Sequence, residues 1–352
     1  MKTRRDLLRV VLFIILIVVI LLIVNMFRKP DQTYGAVWAT WSGEQAIQAT
    51  NTFHPFSEIR ARIVFTNWNH INSPIAEEYL DAGFKVCLNV NGFQQGETAS
   101  YSNLDLATWQ RDCSILINSF SQPEDMLLAC FNEEANENYS IITKPSDMEN
   151  YVQALSILTR TAYNKKIIAS NGGLTTNALV YTTYRYLSDM KSADTTDFMA
   201  YCVPLNRQNG LIKRNSEGIE QLIANAQYLL NNYDTIPVKY LPYISIHMYF
   251  PVAKRLTDTA TNWNNTYTGI AQITRMIHHY VHDNRQLITN EMGLLVENKA
   301  LIENVVHDLK VNGFKHVIYL SNPEEEGSSL PLARQPHNPT TMGDKYLNAI
   351  KN

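Results

Sequence analysis

Nine short apolar runs alternate with helix-length segments after residue 34, and this alternation is the strongest constraint on the fold. The predicted strands lie at residues 35–41, 59–66, 84–90, 125–131, 165–169, 197–203, 243–249, 287–290 and 316–320. Successive strands separated by helices pair in parallel. We therefore predict an α/β fold, a (β/α)8 barrel over residues 35–352 with no internal domain boundary. A barrel has eight places, so one candidate among 35–41, 197–203 and 243–249 must be an addition.

The N-terminus carries a different signal. Residues 10–27 contain no charged side chain and are long enough to cross a membrane as a helix. Four basic residues precede this segment and two follow it, which predicts a cytoplasmic N-terminus. We expect residues 1–30 to be a cytoplasmic N-terminus with a transmembrane signal anchor, and 31–34 to be a tether. This single-pass arrangement places the barrel outside the cytoplasm; the alternative is a cleaved signal peptide.

Charge and cysteine content exclude several kinds of function. Residues 31–352 contain 24 Lys and Arg against 32 Asp and Glu, a net charge of −8 without a basic run. Binding to nucleic acid through phosphates is therefore not expected. The four cysteines form no CxxC pair, and we predict neither a metal site nor a cofactor. Most of the cysteines lie in apolar runs and are expected to be buried thiols, whereas a disulfide remains open.

Polar and aromatic residues cluster just past the predicted strands, and in a parallel barrel these positions share one face. The candidates are Trp68, Asn69, His70, Asn89, Asn91, Asn132, Glu133, Asn171, His247, Tyr249, Glu291 and Asn322. Amides donate to and accept from hydroxyl groups, and aromatic rings stack on sugars. Two carboxylates, here Glu133 and Glu291, are what cleavage of a glycosidic bond requires. These residues at the carboxyl ends of the predicted strands therefore predict an oligo- or polysaccharide substrate.

Three motifs resemble those of the large retaining glycoside hydrolase clan built on (β/α)8 barrels. Asn132-Glu133 is similar to its Asn-Glu acid/base motif. Residues 289–293, Thr-Asn-Glu-Met-Gly, are similar to its Thr-Glu-x-Gly nucleophile strand with an extra Asn290. His247 and Tyr249 match its His-x-Tyr element. The clan places the acid/base after the fourth strand and the nucleophile after the seventh.

The resemblance, which spans roughly residues 35–350, implies a function for each motif. Glu133 is expected to be the general acid/base and Glu291 the nucleophile of a double displacement, with the carboxyl groups about 5–5.5 Å apart. Asn132 is expected to bind the substrate 2-hydroxyl, and His247 or Tyr249 to orient Glu291. The predicted substrate-binding residues are Asn132, His247, Tyr249, Trp68, Asn69, Asn91 and Asn171.

The chain departs from the clan at two places. Glu134 follows the acid/base where the clan has Pro, and the last strand carries Tyr319 and Asn322 where the clan has Trp. We expect Glu134 and Glu137 to be solvated charges on a helix face. The alternative function is a non-catalytic carbohydrate-binding barrel that acts as a membrane-anchored receptor or scaffold. An aldolase or metallohydrolase is disfavoured, because the strand ends offer neither a Lys nor a His/Asp metal pattern.

Overall fold

In the computed structural model, the chain from Gln32 to Asn352 forms one unit. The residues that the structure describes are 14–15, 17, 32–38, 43–52, 62–68, 75–92, 99–135, 140–141, 145–202, 216–251, 265–283, 285–321 and 329–351.

Eight parallel strands close into a barrel. They are β1 Thr33–Trp38, β2 Arg62–Trp68, β3 Lys85–Val90, β4 Met126–Cys130, β5 Ile168–Asn171, β6 Tyr243–Phe250, β7 Gln286–Leu294 and β8 Phe314–Ser321. Each strand pairs with its neighbours in the chain, and β8 pairs with β1 to close the ring. The predicted barrel is confirmed.

Ten helices in the described part of the chain connect and follow these strands. They are α1 Gly43–Thr52, α2 Ile75–Asp81, α3 Leu106–Ser119, α4 Pro145–Tyr163, α5 Thr176–Asp189, α6 Thr195–Tyr201, α7 Ser216–Tyr233, α8 Ile270–Tyr280, α9 Lys299–Val311 and α10 Thr341–Lys351. Neighbouring helices pack side by side, as α3 does with α4 and α9 with α10. Asp105 caps α3, where its carboxylate accepts from the amide of Ala107 at 3.1 Å and so fixes the start of the helix.

The barrel interior changes from apolar to polar along the strands. Near the start of the strands lies a buried apolar cluster, which consists of Cys87, Leu127, Ala129, Tyr243, Ile288 and Ile318. Along β6, Tyr243 is followed at steps of two by Ser245 and His247, which are both fully buried. Because side chains alternate between the two faces of a strand, these residues share the inward face. The strands therefore bring polar groups into the barrel at their carboxyl ends.

The ninth strand candidate, residues 197–203, is wrong. The chain there forms the short helix α6, and Phe198 and Cys202 are both buried while Met199 is exposed. Residues four apart share one face of a helix, so this burial follows the helical period and not the strand period. Removing this candidate makes β4 the fourth strand and β7 the seventh.

Several strand boundaries differ from the prediction by a few residues, and three of these differences change where a segment or a site residue lies. The first strand begins at Thr33, so the expected tether at 31–34 contributes two residues to the barrel. The fifth strand begins at Ile168, because Lys165 and Lys166 belong to the turn that closes α4, and it continues to Asn171. The seventh strand continues to Leu294, so Glu291 lies within the strand and not beyond its end.

No helix among the described residues is long and apolar enough to span a membrane. The predicted span at residues 10–27 lies outside the described residues, apart from Ile14, Ile15 and Ile17, which are helical.

Candidate active site

A β-bulge in β7 positions Glu291. Ser245 and His247 of β6 pair with Ile288 and Glu291 of β7, so β7 has one more residue than β6 over this stretch. The pairing of β7 with β8 shifts by one residue over the same region. A bulge re-aims the side chains next to it. The extra Asn290 is thereby turned into the barrel, where it is fully buried, and Glu291 lies beside His247.

The turn after β4 presents Glu133. Phe131 and Glu133 both have left-handed backbone conformations, with φ of 62° and 48°. Such values are uncommon for residues other than glycine and persist only where the surroundings hold them. The turn sends Glu133 and Glu134 in different directions: Glu133 is partly exposed, whereas Glu134 is fully buried.

His247 lies between the two candidate carboxylates. Its Nδ1 is 3.2 Å from Oε1 of Glu133 and 3.9 Å from Oε2 of Glu291, and its side chain has no exposed surface. Burial lowers the pKa of the imidazole, but the charge of Glu291 and the hydrogen bond with Glu133 outweigh it, and the pKa rises from 6.5 to about 9. The ring is therefore a buried cation at neutral pH.

Tyr249, two residues after His247 on β6 and on the same face of the strand, donates a hydrogen bond from its hydroxyl to Oε1 of Glu291. Gly293 makes this approach feasible, because a Cβ at Gly293 would lie 2.7 Å from Cδ1 of Tyr249. The glycine after Glu291 thus gives room to a protein side chain.

The carboxylates of Glu133 and Glu291 are close and accessible. One oxygen of each and a ring nitrogen of His247 all lie within 4.8 Å of one another. The two carboxylate side chains are 13% and 17% exposed. The 4.8 Å limit applies to the nearest oxygens of the two groups. Oxygens this close suit direct attack by one carboxylate, whereas inverting glycosidases hold their carboxyl groups about 6.5–9.5 Å apart to admit a water.

Within the described part of the chain, the same three side chains are the one group spaced closely enough to share a metal ion. We do not assign them as metal ligands, because Nδ1 of His247, which faces both carboxylates, already shares a hydrogen bond with Glu133.

Six of the seven predicted substrate-binding residues fall into three groups. Asn132 and Asn91 are half-buried at the barrel mouth, where Asn132 Oδ1 accepts from Asn89 at 3.4 Å. His247 and Tyr249 are buried and contact the two carboxylates. Trp68 ends β2, and its side chain, like all of Asn69, lies outside the described residues.

Asn171 requires a correction, because it lies inside the barrel. It ends β5 and is fully buried. Its Nδ2 donates to Glu134 at 2.7 Å and to the carbonyl of Ser245 at 2.9 Å, and its Oδ1 accepts from the amide of Ser245 at 2.6 Å. Both ends of the amide are engaged by protein, which makes Asn171 a supporting residue and not a substrate contact.

The prediction that Glu134 is a solvated charge is wrong. Its carboxylate accepts from Tyr233 at 2.6 Å and from Asn171 at 2.7 Å with no exposed surface. Burial raises the pKa of Glu134, and these hydrogen bonds oppose the shift without cancelling it. Glu137 lies outside the described residues.

Ser245 and Gly173 are two site residues that the sequence did not single out. Ser245 occupies the same alternating face of β6 as His247 and Tyr249, so the period-two pattern of polar residues was a usable signal. Gly173 has a φ of 106°, and a Cβ there would lie 2.2 Å from Cδ2 of His247. No local pattern reveals that contact, because the two residues are far apart in the sequence.

The fold is shared with solved structures of family 5 glycoside hydrolases. One is a xyloglucanase from Paenibacillus pabuli, with 13% identity, 91% of this chain and 98% of that chain covered, and a TM-score of 0.54. An endo-β-1,4-glucanase from Xanthomonas axonopodis pv. citri has 9% identity, with 91% of this chain and 99% of that chain covered and a TM-score of 0.54. A lichenase from Caldicellulosiruptor sp. F32 has 11% identity, with 91% of this chain and 92% of that chain covered and a TM-score of 0.51. No family model matches the sequence, and no curated protein matches it. At these identities the similarity establishes the barrel fold.

Substitution of Gly173 by Ala should displace the imidazole of His247, since the new Cβ would lie 2.2–2.3 Å from two ring atoms. Gly83→Ala is the matched control: Gly83 also has a left-handed φ, of 82°, but a Cβ added there would have no other atom within 4 Å. We expect Gly83→Ala to lower the free energy of unfolding by about 1 kcal/mol and Gly173→Ala to lower it by several-fold more, as measured by urea denaturation. Equal losses would show that the imidazole is not confined by Gly173.

The stability of the fold should depend on the protonation of His247. Its pKa is raised on folding, so the stabilisation is fully present below about pH 6.5 and is lost as the pH rises through about 9. We expect the free energy of unfolding to fall more between pH 6.5 and 9.5 in the wild type than in His247→Gln. The same pH dependence in both proteins would contradict a charged, buried imidazole.

Proposed function

We propose that this protein hydrolyses O-glycosidic bonds of an oligo- or polysaccharide with retention of anomeric configuration. The observation that carries the proposal is the pair of partly exposed carboxylates, Glu133 after the fourth strand and Glu291 on the seventh, within 4.8 Å of one another at the same end of the barrel. The fold that the chain shares with family 5 glycoside hydrolases supports it.

In the proposed reaction, Glu291 attacks the anomeric carbon while Glu133 protonates the departing glycosidic oxygen. Glu133 then takes a proton from a water, whose oxygen bonds to the anomeric carbon while the bond between that carbon and Glu291 breaks and frees Glu291 as a carboxylate. The hydroxyl of Tyr249 fixes the rotation of the Glu291 carboxylate. The cationic His247 reduces the repulsion between the two carboxylates when both are ionised. Asn132, half-buried next to Glu133, binds a substrate hydroxyl in this proposal.

The substrate class follows from the charge and from the structural relatives. A barrel domain with a net charge of −8 suits a neutral polymer better than a polyanion. The related structures are named as a xyloglucanase, an endo-β-1,4-glucanase and a lichenase, and the lichenase was also solved with cellotetraose. We therefore propose a neutral glucan as the first substrate to test.

The test measures hydrolysis of aryl β-glycosides, cello-oligosaccharides, xyloglucan and lichenan. We expect Glu133→Gln to lower kcat by about 10²–10⁴-fold, with the smallest loss on substrates with good leaving groups. Glu291→Gln should abolish turnover on all of them. Glu297→Gln, an exposed glutamate just beyond the same strand, is the control and should keep full activity.

Product stereochemistry and a chelator complete this test. Proton NMR should show initial products that retain the anomeric configuration, and EDTA should leave the rate unchanged. Inversion would overturn the double displacement. Binding of the same sugars without hydrolysis, unchanged in both glutamine variants, would favour the carbohydrate-binding receptor or scaffold instead.

We also propose that residues 10–27 anchor the protein in the membrane with the barrel outside the cytoplasm. The uncharged segment and the basic residues that flank it support this. We expect the full chain to stay in the membrane pellet after alkaline carbonate extraction and a chain lacking residues 10–27 to be released. Protease added to intact cells should degrade the barrel domain. Release of the full chain by carbonate, or a protected barrel domain, would contradict the anchor or its orientation.

A further inference from the structure

A continuous set of buried hydrogen bonds connects the neighbours of the two candidate catalytic carboxylates. It begins at Glu134, the residue after Glu133, and ends at Asn290, the residue before Glu291. Asn171 and Ser245 lie between them, and all four side chains are fully buried. We name this set the buried relay.

The links of the buried relay join neighbouring segments of the barrel, beginning at the turn after β4. Glu134 accepts from Asn171 at 2.7 Å, and Asn171 pairs with the backbone amide and carbonyl of Ser245 at 2.6 and 2.9 Å. The hydroxyl of Ser245 donates to Oδ1 of Asn290. The relay thus runs from the turn after β4 across β5 and β6 to β7.

Further bonds tie both ends of the relay to the surrounding fold. Tyr233, the last residue of α7, donates to the Glu134 carboxylate at 2.6 Å, and Tyr101 donates to the Glu134 carbonyl at 3.2 Å. At the other end, Nδ2 of Asn290 is 3.5 Å from the carbonyl of Gly172.

Both carboxylates stand on irregular backbone that needs such support. Glu133 has a left-handed φ, and Glu291 follows the extra residue of a β-bulge. A left-handed residue other than glycine persists only where its neighbours hold it in place. Glu134 supplies side-chain hydrogen bonds at the turn, and Asn290 uses the bulged residue to reach β6.

We propose that Glu134, Asn171, Ser245 and Asn290 are positioning residues that together set the separation of the Glu133 and Glu291 carboxylates. The inference rests on the proposed function, in which that separation decides whether Glu291 reaches the anomeric carbon while Glu133 reaches the glycosidic oxygen. None of the four touches substrate in this assignment.

The sharpest single change is Ser245→Ala. It removes the hydroxyl that bonds Asn290 and leaves the backbone bonds between Ser245 and Asn171 in place. We expect kcat to fall by about 10- to 100-fold with little change in KM. Ser321→Ala is the matched control, since Ser321 is a fully buried serine of β8 whose hydroxyl accepts from the amide of Leu332 at 3.0 Å, outside the relay. A loss of kcat no larger than in Ser321→Ala would overturn the proposal.

A double-mutant cycle tests whether Ser245 and Asn290 act through one another. Asn290→Ala should lower kcat at least as much as Ser245→Ala, and the double variant should be no slower than Asn290→Ala alone. Effects that multiply would show two independent roles and would overturn the relay.

A titration of His247 keeps the test independent of turnover. The pKa of His247 reports the nearness of both carboxylates, and NMR should show it lowered in Ser245→Ala but not in Ser321→Ala. An unchanged pKa would overturn the relay. If the wild type hydrolyses no sugar and the pKa still falls in Ser245→Ala, the proposed function fails and the positioning role stands.

Discussion

The carboxylates of Glu133 and Glu291, with oxygens within 4.8 Å of one another, repel when both are ionised. The site therefore depends on the attraction of both carboxylates to the buried imidazole of His247. Nδ1 of the ring lies 3.2 Å from Oε1 of Glu133 and 3.9 Å from Oε2 of Glu291, and the side chain is completely buried. In such surroundings a charge interacts more strongly with its neighbours than it does in water, which is why the pKa of the imidazole rises in spite of its burial. Tyr249 adds a neutral donor on the far side of Glu291, so this carboxylate is held from two directions.

The backbone provides this arrangement through two irregularities in an otherwise regular barrel. In a regular strand, successive residues such as Asn290 and Glu291 point to opposite faces. One extra residue in β7 interrupts this alternation and lets both side chains face the barrel. The bulge therefore gives β7 two side chains of the candidate site in succession, one directed into the barrel and one to its mouth. The turn after β4 does the same with Glu133 and Glu134 through two left-handed residues. Both pairs consist of a partly exposed carboxylate and a buried polar neighbour.

Local patterns in the sequence predicted the barrel and the two carboxylates. The strand–helix alternation and the motifs around Glu133, His247 and Glu291 are local, and the structure brings these three residues together. The sequence pattern does not show whether residues 197–203 form a helix or a strand, because a short apolar run fits both the helical and the strand period. Only the positions that are buried in the structure decide between the two. The burial of Glu134 is not predictable from its local sequence for a related reason. Its partners, Asn171 and Tyr233, are distant in the sequence, and a glutamate after a strand is exposed in most contexts.

The barrel interior near the carboxyl ends of the strands contains polar side chains, whereas a core selected for stability alone would contain apolar ones. Replacing well-packed apolar side chains by Glu134, Asn171, Ser245 and Asn290 gains little stability even when every hydrogen bond is made, and it costs stability when one is missing. What polar groups supply is direction: a hydrogen bond fixes the rotation of an amide or a carboxylate, whereas apolar contact does not. The lower interior, with Cys87, Leu127 and Ile288, needs no such direction and is apolar. The change from apolar to polar along the strands therefore separates the part of the barrel that stabilises the fold from the part that aims Glu133 and Glu291.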